Sequence, residues 1–299
     1  MRSETWPREI EVRVTNEVKP IDADAAMPDA QVSAADPRLF STPEAEAIKE
    51  EICAVGRKLW LRQYVDGNGG NISYRIGPNE VICTPTLLSK YDLTPESLCL
   101  VDLDGNQAAG AMARTSEILL HLEIYKEVEE ARAVVHCHPP HATAHAITGR
   151  VPPSLVIPEF EVFVGKVAIS PYETPGTLKF ARTVVPYVKL HNTVLLANHG
   201  IVCWGDTVTH AEWYAEVLET YCWQLMLAAQ LGSPIVHFTP QQEIELLAFK
   251  QALGMPDVRF GGAQSSMSQE PATVRVSEID VDALVKSVTD AVLKAIGKK

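Results

Sequence analysis

Three things are missing from this sequence, and each removes a class of explanation. No C-x-x-C pair occurs among the six cysteines, at 53, 83, 99, 137, 203 and 222. Neither a zinc ribbon nor a dithiol redox motif is therefore encoded, and the cysteines read as small apolar side chains in a reducing compartment. Positive charge is scarce: 26 Lys and Arg stand against 38 Asp and Glu, a net −12. That balance leaves no basic stripe for nucleic acid and no polybasic stretch for an anionic bilayer. Long apolar runs are also absent, none approaching the ~20 residues that span a membrane. The opening Met-Arg-Ser-Glu-Thr-Trp-Pro lacks the apolar centre of a signal peptide, so the chain is expected to stay in the cytoplasm. No internal repeat is found.

What is present, 299 residues of which 46% are hydrophobic, is enough for one large domain or two small ones. Residues 1–41 mix Pro, Ala, Asp and Val and read as a peripheral extension with one short strand at 10–14. A helix is predicted from Ser41-Thr42-Pro43, with Ile48, Ile52, Val55 and Leu59 on its apolar face. Short strands are predicted near 72–76, 81–84 and 98–103, and a helix from Thr115 through Glu117 to Glu127. The expected order continues with a strand into His136 and His138, a helix near Thr143 and strands near Val162 and Val167. A helix over 176–189, a strand ending at His199 and a long helix over 208–231 complete it. Interleaved helices and short strands adjacent in sequence predict one α/β domain, over 42–256, with a mixed, mostly antiparallel sheet.

Beyond it, residues 257–276 read as a flexible polar linker, and 277–299 as an amphipathic helix. Ser277 is its cap, and Val281, Leu284, Val285, Val288, Val292 and Ile296 form its stripe. So short a helix needs a partner for that stripe. It either docks back on its own domain or is laid into a groove on another protein.

The chemistry concentrates in histidines. Ala-Val-Val-His136-Cys-His138 and Val-Leu-Leu-Ala-Asn-His199 each lead a β-branched apolar run into a histidine. In a strand, residues i and i+2 share a face, so His136 and His138 can hold one ion while Cys137 faces away. A second strand then brings His199. Three neutral imidazoles leave coordination positions open, the layout of a catalytic rather than a structural metal site. The other six histidines read as core or surface residues.

Three further segments suit an anion. Asp66-Gly67-Asn68-Gly69-Gly70-Asn71 is a glycine-rich turn, either an anion cradle or a plain hairpin turn. Thr84-Pro85-Thr86 ends a strand, and Thr115-Ser116-Glu117 opens a helix whose hydroxyls and N–H groups suit a phosphate. Glu117 reads either as a first-turn carboxylate that favours the helix dipole or as a general base beside the metal.

Gly69-Gly70-Asn71-Ile72-Ser73, Thr84-Pro85-Thr86, Ser116-Glu117, His136-Cys137-His138-Pro139-Pro140-His141 and Asn198-His199-Gly200 stand in order across residues 42–253. In these five motifs the chain resembles the class II aldolase/adducin family, above all its aldolases acting on L-fuculose 1-phosphate and L-rhamnulose 1-phosphate. The resemblance implies a three-layer α/β/α sandwich, a homotetramer with sites between subunits, and a bound Zn²⁺. It implies His136, His138 and His199 as metal ligands and Glu117 as the catalytic acid/base. Asn71, Thr86, Thr115 and Ser116 would bind the phosphate. It further implies a metal-dependent aldolase that releases dihydroxyacetone phosphate and L-lactaldehyde, with a decarboxylase or sugar-phosphate epimerase on the same scaffold, or a non-catalytic scaffold protein, as the alternatives.

Two positions depart from the pattern. Leu87 stands where those enzymes place a glycine, and Ile157 falls where they place a proton-donating tyrosine, leaving Glu159, Glu161 and Tyr172 as candidates for that role. Relatives of this kind occur inside bacterial microcompartments as cargo with a terminal amphipathic helix. Residues 277–299 resemble such an encapsulation peptide, which would bind shell proteins.

Overall fold

The computed structural model describes residues 35–260. The greater part of the expected N-terminal extension, including its strand at 10–14, lies outside the described residues, as do most of the expected linker and the whole helix at 277–299.

Helix α1, Pro43–Leu61, begins where its hydroxyl cap predicts: Thr42 Oγ1 accepts from the Ala45 N–H at 3.2 Å, and Pro43 occupies the first turn. Its face of Ile52, Val55 and Leu59 is buried, with Ile48 packed at the edge. The strands are β1 (Asn71–Arg75), β2 (Val81–Cys83), β3 (Cys99–Val101), β4 (Gln107–Ala109), β5 (Ala133–Cys137), β6 (Ala168–Ser170), β7 (Thr193–Leu196) and β8 (Gly200–Gly205). They form one sheet in the order β4-β3-β2-β1-β5-β8-β7-β6. Every neighbouring pair is antiparallel except β6 with β7.

Strand alternation divides the core into two layers. Ala133, Val135 and Cys137 of β5, with Ile201 and Cys203 of β8, pack under α1, α3 (Pro140–Thr148), α4 (Pro158–Phe163) and α6 (Val208–Gln230). Val134, Val202 and Trp204 face the opposite layer, made by α2 (Ile118–Glu127) and α5 (Leu178–Arg182). The result is an α/β/α sandwich, and its central pair β5–β8 carries the histidines. All six cysteines are free and buried. Among the described residues no helix is long and apolar enough to cross a membrane.

Four expectations need correction. Val162 lies in helix α4, because Pro158 at the first helical position and the acidic Glu159 and Glu161 form a start signal that outweighs one β-branched residue. The helix expected over 176–189 closes at Arg182, four residues short of Pro186, which has no N–H to continue the ladder, and turns follow. His199 does not end a strand but sits in the turn between β7 and β8. Strands β4 and β8 and helix α7 (Pro240–Ala252) had no counterpart in the sequence reading.

Helix α7 is tied down by a buried polar knot. Lys250 Nζ meets Asp257 Oδ2 at 2.9 Å and the Val164 carbonyl at 2.9 Å, while Arg259 pairs with both Asp257 and Glu161. Asp257 and Arg259, placed by sequence in the flexible linker, are thus part of the packed domain.

Candidate active site

The sheet register builds the site. Asn71 of β1 pairs directly with His136 of β5, and His136 in turn with Val202 of β8. His138 follows the end of β5, its N–H donating to the Tyr64 carbonyl at 2.7 Å. The β7–β8 turn, with Leu196 paired to Gly200 and Asn198 at φ 56°, presents His199 from the other side. Gly200 has no room for a side chain: a Cβ there would lie 2.5 Å from the Cys137 carbonyl oxygen and 2.7 Å from the His138 ring. Gly70, at φ 70°, is held equally close, with a Cβ 2.9 Å from the His136 carbonyl oxygen.

One ring nitrogen from each of His136, His138 and His199 lies within 4.8 Å of the other two. The Nε2 atoms of His136 and His138 are 3.1 Å apart. Toward a metal, this donor set is well prepared. His136 Nδ1–H donates to the Ile201 carbonyl at 2.8 Å, so its Nε2 carries the lone pair. His138 is oriented the same way by Asp66, 3.4 Å from its Nδ1. Among the described residues His199 Nδ1, which is buried, has no hydrogen-bond partner, so ligation through Nε2 would fix its tautomer. Burial holds His136 well below the ordinary imidazole range, with His138 and His199 adding to the effect, and brings His199 down to about 4. Neutral imidazoles are the form that binds a cation.

Glu117 stands immediately before α2 without capping it. Its carboxylate turns inward instead: Oε2 lies 3.4 Å from His136 Nε2, Oε1 lies 3.5 Å from His199 Nε2, and Asn71 Nδ2 donates to Oε2 at 2.8 Å. Burial raises its pKa above the ordinary carboxylate value, opposed by the Asn71 hydrogen bond and by His138 and Lys90. A carboxylate in this position can exchange a proton with a substrate atom beside the imidazoles.

The residues expected to bind phosphate come from three segments that meet beside Glu117. Pro85 and Arg114 form an isolated bridge, with Thr86 N–H donating to Ala113 at 2.9 Å and Thr115 N–H to Thr84 at 3.0 Å. Both threonine N–H groups are therefore committed to backbone, and the hydroxyls are what Thr86 and Thr115 can offer an anion. Ser116 is exposed and Thr115 buried. Asn71 is buried, with its carbonyl against His121 Nε2 at 2.6 Å and its amide against Glu117. Leu87 has φ 56°, the left-handed conformation that a glycine adopts freely.

Sequence reasoning missed Lys90 and gave His121 only a core role. Lys90 Nζ donates to the carbonyls of Asn68 at 3.1 Å and Leu88 at 2.7 Å, tying the glycine-rich turn to the Thr86 turn. Its burial lowers its pKa to about 8, against the pull of Glu117. No periodicity marks such a lysine, because its partners are backbone carbonyls. Of the proton-donor candidates, Glu161 is buried and engaged by Arg259 and the Leu155 N–H. Glu159 and Tyr172 are exposed.

A sequence model described as Class II Aldolase and Adducin N-terminal domain matches residues 50–226. L-fuculose phosphate aldolase of Methanococcus maripaludis is 40% identical over 169 residues, 56% of this chain and 91% of that protein. 3-Oxo-tetronate 4-phosphate decarboxylase of Haemophilus influenzae is 34% identical over 177 residues, 58% of this chain and 84% of its own length. A solved L-fuculose 1-phosphate aldolase superposes with a TM-score of 0.62 at 25% identity, covering 69% of this chain and 96% of that one.

Proposed function

This chain belongs to the class II aldolase and adducin family and is a metal-dependent aldolase of the lyase class; from that premise we propose that it splits a deoxyketose 1-phosphate, L-fuculose 1-phosphate or L-rhamnulose 1-phosphate, into dihydroxyacetone phosphate and L-lactaldehyde. The observation that carries this reading is a semi-buried carboxylate, Glu117, set 3.4–3.5 Å from two of three clustered imidazole nitrogens and next to a bank of hydroxyls. His136, His138 and His199 would hold the ion, and Zn²⁺ suits a set of three imidazoles. When bound, it supplies positive charge that draws electrons toward the substrate carbonyl.

The protein's own groups do the rest. Thr86, Thr115, Ser116 and the second amide hydrogen of Asn71 hold the phosphate on C1, which fixes the C3–C4 bond over the histidines. As that bond breaks, the C4 hydroxyl gives up its proton to the Glu117 carboxylate and becomes the aldehyde, and the C3–C4 bonding pair passes to C3. Glu117 then returns the proton to C3, completing the three-carbon ketone phosphate. Equal release of dihydroxyacetone phosphate and lactaldehyde from either sugar phosphate is the expected result. The decarboxylase relative supports a second reading on the same scaffold, and carbon dioxide without free aldehyde from a 3-oxo acid phosphate would replace the first.

The assembled enzyme is a homotetramer in this reading, supported by the exposed apolar residues Trp213, Trp223, Leu227 and Leu231 along α6. Light scattering should give four times the chain mass. Residues 277–299 serve as an encapsulation peptide for microcompartment shell proteins, a role supported by their apolar stripe and the polar run before them. A fluorescent protein fused to residues 263–299 should co-assemble with shells, and a diffuse signal beside intact shells would end that assignment.

A further inference from the structure

Behind Glu117 lies a line of buried polar groups that packing alone does not require. Asn71 and Ser73 sit at i and i+2 of β1, and His121 and Tyr125 at i and i+4 of α2, so two matching faces meet. All four are at most 3% exposed. Tyr125 Oη lies 2.8 Å from Ser73 Oγ, which lies 2.7 Å from His121 Nδ1. His121 Nε2 lies 2.6 Å from Asn71 Oδ1, and Asn71 Nδ2 lies 2.8 Å from Glu117 Oε2.

The direction of this chain is set from its Glu117 end. A carboxylate only accepts, so Asn71 must turn its amide to Glu117 and its carbonyl to His121. His121 must then carry its hydrogen on Nε2 and accept at Nδ1. Ser73 therefore donates to His121 and accepts from Tyr125. Reversing Asn71 would put two acceptor oxygens 2.8 Å apart. Burial keeps His121 uncharged, its pKa pushed down to about 3, so a single hydrogen sits on the ring.

We propose that His121 is a positioning residue of the lyase: its Nε2–H, accepted by the Asn71 carbonyl and backed at Nδ1 by the Ser73 hydroxyl, locks the Asn71 amide so that an N–H faces Glu117 and aims that carboxylate at the reacting carbon. The proposal rests on the aldolase reading for its kinetic consequence, while the tautomer itself is independent of any substrate.

Two measurements on the full chain test it. Nitrogen-15 NMR of histidine-labelled protein, with His121 assigned by its absence in His121→Gln, should show Nε2 protonated and Nδ1 bare. The opposite tautomer, or a doubly protonated ring, overturns the chain even if no sugar phosphate is ever cleaved. Kinetically, His121→Phe should lower kcat on the order of tenfold to a hundredfold, as loss of an orienting partner does elsewhere, with a smaller rise in KM, because Asn71 also meets the phosphate, and with bound metal unchanged. His121→Gln, which retains a neutral donor toward Asn71, should recover most of that loss. Equal kcat in the Phe and Gln variants, or parental kcat in the Phe variant, contradicts the positioning role. If the Phe variant fails to fold, Ser73→Ala serves: it removes the donor to Nδ1, so the Nδ1 resonance should shift while Nε2 stays protonated and kcat should fall, and an unchanged spectrum and rate would refute the proposal.

Discussion

At Glu117 the sequence offered two readings of one carboxylate, helix-end residue or acid/base, and the side chain's direction favours the second. It makes no capping hydrogen bond and faces His136 and His199 instead. Glu117→Gln keeps the shape and the acceptor for Asn71 but cannot exchange a proton. It should retain one metal ion per chain while turnover falls by about 10²–10⁴-fold; normal turnover would remove Glu117 from the reaction. His136→Ala should lose ion and activity together, checked by elemental analysis, and a fully metallated variant would refute its role as a ligand. Leu87 is a residue of a different sort, a branched side chain at φ 56° and 79% exposed, with little packing to justify the conformation. Leu87→Gly exchanges about 1–2 kcal/mol of left-handed strain for about 0.5–1 kcal/mol of lost chain entropy. The net gain should be about 0.5 kcal/mol, measured by denaturant titration.

Among the elements, those that carry their own signals were legible and those defined by their neighbours were not. Helix α1 announced itself through Thr42-Pro43 and a regular apolar face, and β5 through Ala-Val-Val before His136. The β7–β8 hairpin was missed, the predicted strand running on to His199 with none after it, because Ala197-Asn198-His199 lacks glycine, although Asn198 takes the left-handed turn conformation. Its tight seat predicts that Gly200→Ala will push His138 aside, costing about 1–3 kcal/mol of stability and weakening metal binding. Helix α7 escaped notice because a polar knot rather than an apolar stripe fixes it, Lys250 being its one fully buried residue. Within that knot burial pushes the Asp257 carboxyl up, but Arg259 and Lys250 outweigh it and hold the group well below its ordinary value. A depressed carboxylate adds stability above its unfolded pKa of about 3.9 and loses it as pH falls toward the folded value. The melting temperature should therefore drop from about pH 4 downward, and more steeply in the parent than in Asp257→Asn. At pH 7 the variant should be about 3–5 kcal/mol less stable, because it leaves Lys250 buried without its partner. An acid profile identical in the two proteins would place the sensitivity elsewhere.

Across the whole molecule, the site exists only because the sheet order β1-β5-β8 brings together residues 71, 117, 136, 138 and 199. The three histidines were legible since strand spacing and donor chemistry are written locally. The hydrogen-bond line from Tyr125 to Glu117 was not, since its members are spread over two elements and each alone resembles a core residue. That assembly also predicts that the chemistry fails as a unit: without an ion on the three histidines, Glu117 would have no electron-withdrawing centre beside it. The most direct measurement is dihydroxyacetone phosphate release from L-fuculose 1-phosphate and L-rhamnulose 1-phosphate, before chelation, after it, and after zinc is restored. Release that disappears with the chelator and returns with zinc is the predicted result. Release that continues undiminished in protein shown to be free of metal, or none from either sugar in zinc-loaded protein, would contradict the account.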